Sequence, residues 1–121
     1  MARRCLVVDD DDGFRYATVK LLRDAGFDVE EASDYRRALE ILDEKKPLDL
    51  LVMDIVIPGV NGFALARMAR MRYIGLKVVY LSAFDIPTHE AIGPVLRKPI
   101  DGQLLLSEID KVLSPESPPP S

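Results

Sequence analysis

The residues best suited to chemistry are four consecutive aspartates, Asp9-Asp10-Asp11-Asp12, an isolated Asp54, Ser82, and the step Arg97-Lys98-Pro99. Each follows a short apolar run: Cys5-Leu6-Val7-Val8, Leu48 to Met53 (apolar but for Asp49), Val78-Val79-Tyr80-Leu81 and Val95-Leu96. Carboxylates packed together repel and raise one another's pKa unless a cation joins them. A hard divalent ion with oxygen ligands answers that need. Mg²⁺ suits a site with few carboxylates and room for water and phosphate oxygens. Lys98 adds a mobile positive charge and Ser82 a hydroxyl. Such a set is suited to holding a phosphoryl group against a nucleophilic carboxylate.

For these residues to meet, the apolar runs must be neighbouring strands with their ends aligned. Uninterrupted apolar runs are expected of strands buried on both faces. Phe27 to Ala32 reads as a further strand, weakened by its acids. Between the strands lie helical patterns. Phe14, Ala17, Leu21, Leu22 and Ala25 repeat at helical spacing. Tyr35, Ala38, Leu39 and Leu42 form a second stripe, capped by Ser33 or Asp34 and closed by Pro47. Ile57-Pro58-Gly59 is turn chemistry, and Asn61 caps a third helix running to about Tyr73. Asp101 caps a last helix, with Leu104, Leu105, Ile109 and Val112 expected to face inward.

Strands alternating with helices imply right-handed crossovers and a parallel sheet covered on both faces. The expected architecture is a flavodoxin-like doubly wound α/β domain, five strands ordered 2-1-3-4-5, in which ligands bind at the carboxyl ends of the strands. Residues 83–94, with Pro87, Gly93 and Pro94, barely reach the length a crossover needs, so a short or irregular fourth helix is expected. Residues 1–113 read as the domain and 114–121, rich in Pro and Ser, as a disordered tail.

Four segments in order then carry a resemblance. Leu6-Val7-Val8-Asp9-Asp10, Leu51 to Gly62 with Asp54 and its Pro58-Gly59, Leu81-Ser82-Ala83, and Arg97-Lys98-Pro99 are similar to the motifs of response-regulator receiver domains, the chemotaxis-regulator-like switches of bacterial two-component signalling. The resemblance runs from residue 3 to about 113. It implies that Asp54 accepts a phosphoryl group from a sensor histidine kinase or phosphotransfer protein, and that a downstream protein reads the result. It also implies that Asp9 and Asp10 hold Mg²⁺ together with the Asp54 carboxylate and the Val56 backbone carbonyl. Ser82 would hydrogen-bond the phosphoryl group and Lys98 would pair with it. The role the resemblance implies is signalling, not enzymatic turnover.

The chain departs from the family pattern in places. Val95 stands where many receivers carry a Tyr or Phe that turns inward with the Ser or Thr, and Phe84 is the candidate substitute. Val56 and Phe84, two residues beyond Asp54 and Ser82, are apolar and cannot position an attacking water, so a long-lived phosphoryl form is expected. These departures keep open a receiver-like binding platform that works without phosphate. Asp9-x-Asp11 is also similar to the opening of haloacid-dehalogenase-type phosphatases. The chain is short for such an enzyme, and Gly13 stands where that motif wants Thr or Val. A calcium loop fails because its closing Glu would fall at Val19 or Lys20.

Composition narrows the setting. Sixteen Lys and Arg against twenty Asp and Glu give a net charge of −4, which gives no support to nucleic-acid binding. No apolar run approaches the ~20 residues of a bilayer span, and the run after Arg4 is too short for a secretory leader. One cysteine, Cys5, excludes an internal disulfide and fits a reducing cytoplasm. His89 reads as a surface residue, Arg67, Arg70 and Arg72 as a solvated helix face, and Met68 and Met71 as packing residues.

Overall fold

The computed structural model describes residues 2–114. The elements are β1 (Arg4–Val8), α1 (Asp12–Asp24), β2 (Asp28–Ala32), α2 (Tyr35–Leu42), β3 (Leu50–Asp54), β4 (Val56–Ile57), β5 (Val60–Asn61), α3 (Gly62–Arg72), β6 (Lys77–Ser82), β7 (Val95–Arg97) and α4 (Gly102–Leu113). Each helix starts at a side chain that accepts a backbone N–H its first turn would otherwise leave unpaired: Asp11, Asp34, Asn61 and Asp101. The main sheet is parallel and ordered β2-β1-β3-β6-β7. That is the expected 2-1-3-4-5 order once the short pair β4-β5 is set apart.

Alternation along the strands divides the core into two layers. Leu6, Val8, Leu51, Met53, Val78 and Tyr80 pack against α2 and α3. Cys5, Val7, Leu50, Val52, Val79 and Leu81 face α1 and α4. Among the expected inward faces, two are corrected. On α1 the buried residues are Thr18, Val19 and Leu22, while Ala17 and Ala25 are exposed. On α4, Leu105 and Ile109 are buried and Val112 packs beside them, but Leu104 faces solvent. Positions 105, 109 and 112 already complete one helical stripe, and Leu104 lies off its axis. Met71 and, to a lesser degree, Met68 are likewise exposed rather than packed.

Between Ser82 and Val95 the chain forms turns and bends with no helix at all, a step beyond the short helix expected. Gly93 explains how so short a connection closes. A Cβ there would stand 1.8 Å from the Val78 carbonyl oxygen, so only glycine lets the segment lie flat against β6. Arg70 donates to the carbonyls of Leu76 and Ile92, which makes it a clamp on this segment rather than a solvated charge. The Ile92 amide donates to the Tyr80 hydroxyl. Of the tail expected from residue 114, only Ser114 is described; 115–121 lie outside the described residues.

Candidate functional site

The strand registers build the site as a staircase. Val8 pairs with Met53, so the next residues, Asp9 and Asp54, finish side by side. Asp54 pairs with Leu81, placing Ser82 one step beyond. Ser82 pairs with Arg97, placing Lys98 one step further still. Asp9 and Ser82 are fully buried, Asp54 nearly so, and Asp10 is exposed.

Lys98 is the centre of the cluster. Its ammonium donates to Asp9 Oδ2 and to Asp54 Oδ2, each at 2.8 Å. It also lies 4.2 Å from the centroid of the Phe14 ring, which gives the cation an aromatic floor. The Lys98 amide donates to the Ser82 carbonyl, and the peptide bond that follows, Lys98–Pro99, is cis. Burial pushes the Asp9 carboxyl above its ordinary range, against the lowering pull of Lys98 and the Asp11 amide. Burial also pulls Lys98 down, but its hydrogen bonds and attraction to Asp54 and Asp9 together outweigh this and hold it above its ordinary value.

The other carboxylate oxygens are oriented by backbone. Asp9 Oδ1 accepts from the Asp11 amide at 2.9 Å, and Asp54 Oδ1 accepts from the Val56 amide at 2.9 Å. Val56 belongs to the β4-β5 hairpin, turned by Pro58-Gly59 with Gly59 at φ 90°. Sequence reasoning found that turn but not the hairpin, because strands of two residues have no periodicity to read. Gly62 closes it against the strand end, since a Cβ there would stand 2.6 Å from the Ile55 carbonyl oxygen. Ile57–Val60 pairs next to the turn, and Gly62 donates to Ile55. That alternation leaves the Val56 amide and carbonyl on the edge away from Asn61, the edge where the amide meets Asp54.

Arg15 falls where the family often carries an Arg or similar residue, and its contacts are visible only in the fold. It donates to the Asp9 carbonyl and pairs with Asp12 and Glu31, tying the start of α1 to the end of β2. Phe14 read only as a core residue from its spacing, yet it carries the cation–π contact. Asp11 and Asp12 are a helix cap and an ion-pair partner. Phe84 is exposed, and its amide and carbonyl both bond the Ser82 hydroxyl.

Asp9, Asp10 and Asp54 each offer a carboxylate oxygen within 4.8 Å of the others. The oxygens of Asp9 and Asp54 each hold one donor and keep lone-pair capacity, and Asp10 faces solvent. This all-oxygen, partly open donor set fits a hard divalent cation that retains several waters.

An acidic cluster at the carboxyl edge of a doubly wound parallel sheet, bridged by one lysine, defines a class of α/β signalling domain. Residues 5–110 match the response regulator receiver domain family, and the chain belongs to it. It is 35% identical over 117 residues to the response regulator receiver protein CpdR of Brucella abortus (strain 2308), covering 92% of this chain and 97% of that one. The receiver domain of the hybrid histidine kinase CckA superposes with a TM-score of 0.79 at 33% identity, covering 92% of this chain and 99% of that one. The chemotaxis response regulator CheY4 of Vibrio cholerae gives 0.82 at 28%, covering 93% and 100%. Longer relatives contain the same unit: the chain spans 55% of one and 12% of another. Among the described residues, no helix is long and apolar enough to cross a membrane.

Proposed function

We propose that this chain is a phosphoacceptor switch. Asp54 takes a phosphoryl group, with Mg²⁺ present, from the phosphohistidine of a sensor histidine kinase or phosphotransfer protein, and the change alters binding of a downstream protein. The observation that carries the reading is the single Lys98 ammonium shared at 2.8 Å by Asp9 and Asp54. That arrangement holds a nucleophilic carboxylate beside a cation free to follow new negative charge.

In the transfer, a carboxylate oxygen of Asp54 attacks phosphorus. The P–O bond forms as the P–N bond breaks, and the imidazole nitrogen keeps the electron pair. The Val56 amide holds Asp54 in position through Oδ1. Lys98 moves its hydrogen bond from Asp54 Oδ2 to a phosphoryl oxygen while keeping Asp9 as its anchor. Ser82 gives up Phe84 and donates its hydroxyl to another phosphoryl oxygen. Asp9, Asp10, the Asp54 carboxylate and the Val56 carbonyl would hold Mg²⁺, which when bound supplies charge that offsets the phosphoryl oxygens.

The test is intact-protein mass after incubation with acetyl phosphate and Mg²⁺, with Asp54→Asn alongside. One phosphoryl group on the wild type and none on the variant is expected. No adduct on the wild type, with magnesium shown not to bind, would overturn the reading in favour of a phosphate-independent binding platform.

A further inference from the structure

We propose a second binding site, for a small organic phosphate with a flat ring, at the opposite edge of the sheet from the acidic cluster. A cavity of about 540 Å³ lies between the C-terminal ends of α2 and α3. That volume falls within the range of small-molecule sites. Its apolar walls are Leu42, Pro47 and Tyr73, and its charged rim is Lys45, Lys46 and Arg72 with Asp43.

The cavity is pre-formed. The Tyr73 hydroxyl donates to the Leu42 carbonyl at 2.7 Å, which fixes the phenol ring as a wall joining the two helix ends. The loop bearing the lysines is anchored from beneath by Arg4, which is only 8% exposed. The Arg4 guanidinium donates to the carbonyls of Lys46 and Pro47 and to the Glu44 carboxylate, and its amide donates to Asp49. Lys45 sits at φ 59°, a left-handed conformation uncommon for lysine.

Charge decides the occupant. The two nearby acids are already engaged, Asp43 by Arg72 and Glu44 by Arg4. Lys45 and Lys46 have no carboxylate partner among the described residues. In a chain of net charge −4, two uncompensated ammonium groups at the mouth of an apolar cavity call for an anion with an apolar body. Phosphate oxygens would meet Lys45 and Lys46 while a flat ring lies against Tyr73 and Pro47, which is mononucleotide chemistry. An extended peptide fits less well, because the sheet edges are β2 and β7 and the cavity borders neither.

The test is an amide NMR titration of the whole chain with GMP and AMP, with inorganic phosphate, guanosine and a short acidic peptide as separate arms at matched ionic strength. Saturable shifts at Lys45, Lys46, Arg72 and Tyr73 are expected with a nucleotide, at least roughly tenfold stronger than with inorganic phosphate. The double variant Lys45→Asn, Lys46→Gln should weaken binding by about tenfold or more while leaving other resonances in place. Asn is chosen because it tolerates the left-handed backbone. Asp54→Asn should bind as the wild type does, so this result is independent of the phosphoacceptor reading. The proposal is overturned by the absence of saturable shifts with both nucleotides, by an equal response to inorganic phosphate or guanosine, by saturation with the peptide alone, or by undiminished binding in the double variant.

Discussion

The Ser82 hydroxyl closes a ring with the backbone of Phe84, donating to its carbonyl at 2.8 Å and accepting from its amide at 3.1 Å. A hydroxyl has one proton to donate. Ser82 therefore cannot donate to a phosphoryl oxygen and keep its bond to the Phe84 carbonyl. Phosphorylation should release the Phe84 carbonyl and turn the hydroxyl that the Phe84 amide bonds, seen as altered amide exchange at Phe84 in the phosphorylated protein. Ser82→Ala should exchange fast at Phe84 in both states, with a basal loss of about 1 kcal/mol of local stability. Equal protection of Phe84 with and without phosphate would contradict this coupling.

The phosphoryl form should be long-lived. Val56 is exposed at the rim and brings no polar atom of its side chain to the site. Val56→Asn should shorten the half-life roughly tenfold or more by positioning a water for attack. Decay of the phosphorylated mass with time checks this. A wild-type half-life of seconds, unchanged in the variant, would refute it.

Asp9 should cost the fold stability at neutral pH. Its carboxyl is held above the ordinary range, first by burial, so the folded chain binds that proton more readily than the unfolded chain. The benefit is present below the ordinary aspartate value of about 3.9 and is lost as pH rises through the raised value. Asp9→Asn keeps an oxygen for the Asp11 amide and should raise the urea midpoint at neutral pH, measured without divalent ions. The gain should shrink as pH falls toward about 4.

Cys5 gives a second, alkaline signature. Burial pushes its thiol far above the ordinary thiol value, so the folded state keeps the proton while the unfolded state releases it. Stability should therefore decline from about pH 9 upward, with a slope approaching 1.4 kcal/mol per pH unit. Cys5→Ala should remove the Cys5 share of that slope, leaving the part that the raised Lys98 ammonium and Tyr80 hydroxyl contribute at higher pH. Urea unfolding at a series of alkaline pH values reads it directly.

Much of this was legible in the sequence because the strands of the site end in residues that a buried strand does not otherwise tolerate. Asp9, Asp54 and Ser82 each break an apolar run, Lys98 follows one by a single residue, and the parallel register does the rest. What stayed hidden depends on contacts between distant segments. Nothing local distinguishes Phe14 as a floor for Lys98, or Arg15 as a link to Glu31. The missing helix between Ser82 and Val95 follows from Gly93 lying on the Val78 carbonyl, a proximity no periodicity records. Leu104 misled because a leucine beside a complete stripe looks like part of it.

Gly93 itself can be tested. Gly93→Ala must push the segment off β6 and should cost roughly 1–3 kcal/mol by urea unfolding. It should also loosen the Ile92 bond to Tyr80, read as faster exchange of the Ile92 amide. A variant as stable as the wild type would show that the connection can rise from the strand without penalty.

The bridging lysine leaves the acidic cluster short of balance by a definite amount. Three carboxylates against one ammonium leave two negative charges unanswered in a corner where Asp9 and Asp54 are buried and Asp10 meets solvent. A monovalent ion leaves one over, and a trivalent ion overshoots. On that balance a divalent cation would fit this corner better than a monovalent or trivalent one, and the charge of Lys98 would set that preference.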